Sequence, residues 1–319
     1  MLFGHNCYTI VMVKKLQLNK WFLVGLFAAV VSAPNATIVK YVTNSIDPFI
    51  FSALRFALIA IITTPYIWLE RKKFNTKNFK YAIMVGVFMT AAIFSYVWAI
   101  RLSQASYVTI ITLITPIIFV VLSIKLTGDK INKRSVAGIT LAALGAFIII
   151  ALPIAIHQKA PAQFYPLASA LALLNTISFP LAIIYSKKSN EAGLPLTTIF
   201  SISSWIVLAF SVIFILLFVP VKSVTLSPGL IFGIAYSGVI VALIARIMGV
   251  KSYEHIGSAV TSAIAYAETL LAVTLPVIIL GEKISIYMVL GGVCILFGVY
   301  LAEHHHSKHK KHYLFLKSH

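Results

Sequence analysis

The chain has 319 residues, enough for two soluble domains, but 60% are apolar and only 11% are charged, against about 25% charged in an average globular protein. So few charges cannot cover a water-soluble surface of this size, whereas about 20 residues per crossing suits a chain of many membrane helices. The net charge of +18 does not mark a nucleic-acid reader, which would gather its basic residues on a folded polar domain.

Residues 1–19 form a basic N-terminal segment. Its short apolar run, Tyr8 to Val13, precedes Lys14 and Lys15, the reverse of signal-peptide order. Ten apolar runs follow, at 20–41, 48–69, 80–100, 104–126, 134–154, 164–186, 195–219, 228–250, 257–280 and 284–302. Each is close to bilayer length. Their apolar character is continuous rather than alternating, which favours helices over barrel strands. Turn residues separate them, among them Asp47-Pro48, Gly128-Asp129-Lys130, Gly193-Leu194-Pro195 and Gly281-Glu282-Lys283. The predicted organisation is a first five-helix unit over 20–154, a connecting loop at 155–163, a second unit over 164–302 and a basic, His-rich tail at 303–319.

With ten spans both termini share a side. If that side is cytoplasmic, 19 of the 26 Lys and Arg fall on it and five on the other face, with Arg55 and Arg246 inside spans. The excess of basic residues at cytoplasmic loops fixes this orientation. Cys7 and Cys294 are too isolated to suggest a disulfide framework or cysteine metal site. His-rich tracts such as 304–312 can bind metal. The better reading is a solvated cytoplasmic tail meeting anionic lipid, so no metal or cofactor is expected.

The sequence repeats itself. At a shift of 153, Gly128-Asp129-Lys130-Ile131 falls on Gly281-Glu282-Lys283-Ile284, Gly138 on Gly291 and Gly145 on Gly298. Spans 4 and 5 therefore recur as spans 9 and 10. A unit with an odd number of crossings must re-enter the membrane upside down. Inverted repeats of this kind are the architecture of many secondary transporters, with the site near the midplane.

Polar residues inside spans supply the site candidates. A charge at the centre of a span costs about 2.5–3.5 kcal/mol, so Glu268 and Arg55 are expected to face protein or water. Substrate or proton contact is the reading for Glu268. A structural ion pair or hydrogen-bonded group is the competing one, and it weighs more for Arg55. Arg246, near a helix end, is expected to snorkel to the headgroups. Thr261, Ala265 and Glu268 lie on one small, polar stripe of span 9. Thr112 and Thr115 form its counterpart on span 4, with Thr115 at the position of Glu268. Such residues also serve close helix packing. Asn35 beside Pro34 and Asn175 before Pro180 sit where proline frees a backbone carbonyl. Tyr96, Trp98, Tyr236 and Tyr266 could clamp an amphipathic substrate, although aromatic residues in spans more commonly pack or anchor. The glycines of spans 5 and 10 read as a packing face away from the cavity.

Taken in order, Ala105-Ser106-Tyr107, Thr115-Pro116 and Gly128-Asp129-Lys130, then Ser258-Ala259, Glu268-Thr269 and Gly281-Glu282-Lys283, resemble the two repeats of the EamA family of the drug/metabolite transporter superfamily. Asp47-Pro48 followed by Arg55 is similar to that family's entry into span 2. Asp129 and Thr269 depart from the family's usual Glu and Pro. The resemblance implies an all-α integral membrane protein of ten transmembrane helices in two inverted five-helix repeats. It also implies a cavity among spans 3, 4, 8 and 9. The expected activity is alternating-access transport, chiefly export, of small amphipathic metabolites, amino acids or drugs across a cell membrane. Proton coupling through Glu268 is a sub-hypothesis. A channel-like pore or a non-transporting receptor are alternatives. The partners expected are a small-molecule substrate and the lipid bilayer, without nucleic acid; oligomeric state is left open. No Gly-x-x-x-x-Gly-Lys-[Ser/Thr], Gly-x-Ser-x-Gly or His-Glu-x-x-His occurs, so neither nucleotide drive nor a membrane enzyme is expected.

Overall fold

The computed structural model describes residues 20–127, 133–150, 152, 165–220, 227–255 and 258–315. Within these, the side chains of 120, 123–127, 133–135, 250, 253–254, 258–263, 266 and 302–315 lie outside the description. All regular structure among the described residues is helical. In chain order the helices are α1 (Lys20–Ser32), α2 (Asn35–Ser45), α3 (Pro48–Leu69), α4 (Thr76–Leu102), α5 (Ala105–Thr112), α6 (Thr115–Thr127), α7 (Lys133–Ile150), α8 (Pro166–Glu191), α9 (Leu196–Phe218), α10 (Pro228–Ala235), α11 (Arg246–His255), α12 (Ser258–Leu280) and α13 (Ile286–Phe315). A π-helical stretch, Tyr236–Ala245, joins α10 to α11. Six helices are long and apolar enough to cross a membrane, counting α1–α2 as one and α10 with its continuation to Gly249 as another. Four shorter apolar helices accompany them, at Ala105–Phe119, Val136–Ile150, Ala267–Leu280 and Ile286–Leu301.

Proline and polar caps set the ends and breaks. Asp47 caps α3, its Oδ1 accepting from Phe49 N at 2.8 Å, with Pro48 in the first turn, where its missing N–H costs nothing. Asn75 and Asn78 close a reciprocal capping box on α4. Pro34 lacks an N–H and clashes with the turn before it, so the first span, expected as one helix, divides into α1 and α2. The fourth divides ahead of Pro116 in the same way. Pro116 cannot donate to the Thr112 carbonyl, and the Thr115 hydroxyl donates there instead, at 2.5 Å. The tenth helix overruns its expected end at 302 and continues through the His-rich segment to Phe315.

The helices pair as a two-fold relation between the halves requires. α4 packs on α8 (spans 3 and 6), and α1 on α11 (spans 1 and 8). Exchanging the halves turns each of these pairs into the other. The pairs α3 with α9, α5 with α12 and α7 with α13 each map onto themselves. The glycines of α7 and α13 show the relation at atomic scale. A Cβ on Gly145 would stand 2.6 Å from the Gly291 carbonyl oxygen, and one on Gly298 would stand 2.6 Å from that of Gly138. Gly138 and Gly291 are equivalent in the repeat, as are Gly145 and Gly298. Exchanging the halves turns the Gly145–Gly291 contact into the Gly298–Gly138 contact, the signature of a two-fold relation. The numbers rise along one helix as they fall along the other, so the two run antiparallel.

Contacts at the helix ends sort into two sets. At one end Ser189 Oγ donates to Asn78 O, and the Asn75 and Asn78 amides donate to Ala192 O. At that end, too, the Trp21 ring stacks on His255 at 4.0 Å and Ser252 Oγ donates to Trp21 O. At the other end Lys40 Nζ donates to the carbonyls of Ile100, Arg101 and Ser103, capping the C-terminus of α4. Beside it Glu282 accepts from Ala105 N, Ser106 N and Ser106 Oγ, capping the N-terminus of α5 from 177 residues away in sequence. The 27 residues of α4, at about 1.5 Å each, separate the two sets by a membrane thickness.

Candidate functional site

The break at Pro34 and the π stretch face each other, and polar side chains cross between them. Tyr236 donates its hydroxyl to Val31 O at 2.8 Å, a carbonyl in the last turn of α1. Ser237 Oγ donates to Asn35 Oδ1 at 2.8 Å. Tyr96 of α4 lies beside Asn35 and beside Arg55 of α3. Arg55 is 5% exposed, and its Nε has no hydrogen-bond partner among the described residues. Its Cζ sits 5.6 Å from the Phe56 ring centroid. Gly238 allows this approach, since a Cβ there would press within 3.2 Å of the Arg55 carbonyl.

Arg246 is exposed. It opens α11 directly after the π stretch, whose wider winding re-aims the residues that follow. Its Cζ stands 5.5 Å from the centroid of Phe179 on α8, along an exposed face. The sequence marked it only as an intramembrane charge. It gave no signal for Ser237 or Phe179, whose roles depend on which helix faces them.

Glu268 lies ten residues along α12, about 15 Å from its start and so near mid-span. It shares a face with Ile264, one turn earlier, whose side chain packs against Gly25 of α1. Glu268 is half-buried. Among the described residues it has neither a hydrogen bond nor a salt bridge; the ion pairs found there are Lys73–Glu70 and Lys187–Glu191. Among the described residues, then, neither Arg55 nor Glu268 takes part in a salt bridge.

Other candidates serve the helices themselves. The Thr112 hydroxyl donates to Thr109 O at 2.9 Å, and that of Thr115 to Thr112 O. Both span-4 hydroxyls thus compensate the break before Pro116. Asn175 Nδ2 donates to Ala92 O at 2.9 Å, tying α8 to α4. Trp98 packs edge-on against Phe49 at 5.4 Å, and its indole Nε1 is buried without a partner among the described residues. Ala265 is exposed. The side chains of Thr261 and Tyr266 lie outside the described residues. No group of three or more His, Cys, Asp or Glu able to hold a metal occurs among the described residues.

An all-helical fold of apolar, span-length helices in two related halves around an inner polar cluster is what these elements define, and the comparisons agree. The family model described as the EamA-like transporter family matches residues 19–151 and again 166–303, so the chain belongs to that family. Its two matched stretches coincide with the two halves paired above. No curated protein matches the sequence. Among solved structures 24 chains match. One, titled only as a crystal structure of a protein, aligns with a TM-score of 0.58 and 17% identity over 89% of this chain and 96% of its own; at that identity the likeness concerns the fold alone.

Proposed function

We propose that this chain is a secondary carrier that moves small amphipathic metabolites across a cell membrane by alternating access. In this reading ten helices cross the bilayer in two inverted five-helix repeats, 20–154 and 164–302, with both termini cytoplasmic. The observation that carries the proposal is the polar cluster between α1–α2, α3, α4 and the π stretch, built around a buried arginine whose Nε has no hydrogen-bond partner among the described residues, in a transporter-family chain. A lipid-facing surface has no use for such groups, and each costs free energy inside the bilayer. The pseudo-two-fold supports alternating access because it relates the two halves by exchange. Proton coupling is assigned to Glu268, a half-buried carboxyl without a partner among the described residues, and export is the proposed direction.

Counterflow in proteoliposomes tests the carrier. A preloaded substrate should drive saturable uptake of its labelled form, while an ohmic single-channel current would replace the carrier with a pore. Glu268→Gln tests the coupling. The variant should exchange substrate while losing the pH dependence of net transport. An unchanged pH profile would remove Glu268 from that role.

A further inference from the structure

The two ends of the bundle are not closed alike. At one end Lys40 of α2 donates to the carbonyls of Ile100, Arg101 and Ser103, and α2 packs on α4 and α5. The other half carries the same pieces. At a shift of 147, Lys40 falls on Lys187 and Pro48 on Pro195. The fold keeps that register: Val42 faces Gly233 near the start of α10, and its image Ser189 meets Asn78 near the start of α4. Exchanging the halves would therefore lay Lys187 over the C-terminus of α11, as Lys40 lies over that of α4. The structure places it elsewhere. The Lys187 side chain is 70% exposed, and its Nζ stands 3.8 Å from Glu191 on its own helix, a surface pairing of the kind that contributes little. Among the described residues α8 packs on neither α11 nor α12, which stand to it as α4 and α5 stand to α2. Other contacts do obey the exchange: α1 and α2 pack on α12 as α8 packs on α5 and α6.

We infer that Lys40 and Lys187 are alternating gate residues: one lysine latches its end of the bundle at a time, and this structure is the state latched at Lys40. The inference rests on the carrier reading above and deepens it. The last carbonyls of a helix have no partner within it, and the helix dipole favours a cation beside them. An ammonium carries three donors on a flexible stem, so it can satisfy several carbonyls together and let them go without unwinding either helix. The same device at opposite ends yields two states related by exchange of the halves, which is what alternating access in an inverted repeat needs. In the second state Lys187 leaves Glu191 for the carbonyls that end α11, α8 closes on α11 and α12, and Lys40 turns out to water.

Paired spin labels on the full-length protein in lipid nanodiscs, read by double electron–electron resonance, test the coupling of the two ends. One preparation carries labels at positions 44 and 102, across the Lys40 end. A second carries them at 190 and 251, across the Lys187 end. Asn44, Leu102, Asn190 and Lys251 are all exposed, and Cys7 and Cys294 are replaced in both. Lys40→Gln should lengthen the 44–102 distance and shorten the 190–251 distance, and Lys40→Arg should do so less. Adding Lys187→Gln should return the 190–251 distance toward its wild-type value. A lysine that merely caps α4 would change the first distance and leave the second alone. If Lys40→Gln does not fold, a bismaleimide joining positions 44 and 102 decides the question. It should abolish counterflow of labelled leucine, succinate or choline, whichever the wild type exchanges. The inference fails if Lys40→Gln leaves the 190–251 distance unmoved, if Lys187→Gln does not reverse its shortening, or if the crosslinked protein exchanges solute at the uncrosslinked rate. Any of these with saturable wild-type counterflow removes the latch and leaves the carrier. Fixed distances at both ends in every variant, with no saturable flux, would remove the carrier itself.

Discussion

Two side chains at one end of the bundle hold three segments together. Lys40 satisfies carbonyls that close α4, and Glu282 satisfies amides that open α5. Helix ends have no partners for these groups within the helix, and lipid offers none. The signs are also right, a cation at a C-terminus and a carboxylate at an N-terminus. Glu282→Ala should destabilise the protein by about 1–3 kcal/mol, the cost of stranding buried donors. Glu282→Gln should cost less, because one amide oxygen still accepts. Thermal unfolding of the two variants in the same detergent checks the order. The sequence showed Glu282 only as part of a repeated turn and Lys40 only as a loop charge. Neither carries a mark of its partner, because capping groups that meet through the fold leave no spacing to read. Arg55 and Glu268 were legible for the opposite reason: their cost in a membrane is a property of the residue itself.

At the scale of elements, proline shapes the two interrupted spans, and each interruption has a different use. Before Pro116 the threonine hydroxyls repair the helix from within. At Pro34 the repair comes from outside, through Tyr236 and Ser237 of the π stretch. Pro34→Ala should let α1 run into α2, so that Val31 O takes its helical partner and Tyr236 loses an acceptor. Removing proline from a helix interior gains up to about 3 kcal/mol of helix propensity. The variant should therefore unfold at the same or a higher temperature while transporting more slowly. Melting curves and counterflow rates on the same preparation measure both. The helices and their apolar faces were legible in the sequence because continuous apolar runs bounded by turn residues have few other uses. The π stretch was not. Its winding is settled by what packs against it, here Arg55 over Gly238 and the broken first span.

For the molecule as a whole, the contacts between helix ends divide into two sets separated by the length of α4, and every set joins loops that an alternating chain would bring to one side. Single-cysteine variants at Asn75 and Gly281, made in a background lacking Cys7 and Cys294, test the orientation in sealed cells. An impermeant maleimide should label position 281 from outside and reach position 75 only after lysis. The inverse pattern would reverse the assigned topology. The repeat at a shift of 153 announced this relation through a turn and two further matches, because both copies must solve the same turn geometry. It covers only spans 4, 5, 9 and 10, yet α1 with α11 and α4 with α8 also pair as the relation demands.

The glycine seam between α7 and α13 has a consequence for how this chain can change over time. Duplicated halves are ordinarily free to drift apart, each answering to its own surroundings. Here a side chain gained at Gly145 would strike the backbone of the other half at Gly291, and one gained at Gly298 would strike that at Gly138. Backbone cannot be swapped to make room, so no second mutation in the opposite copy relieves the clash. Along this line the two copies are bound to a shared fate, and their kinship should outlast divergence elsewhere in the polypeptide.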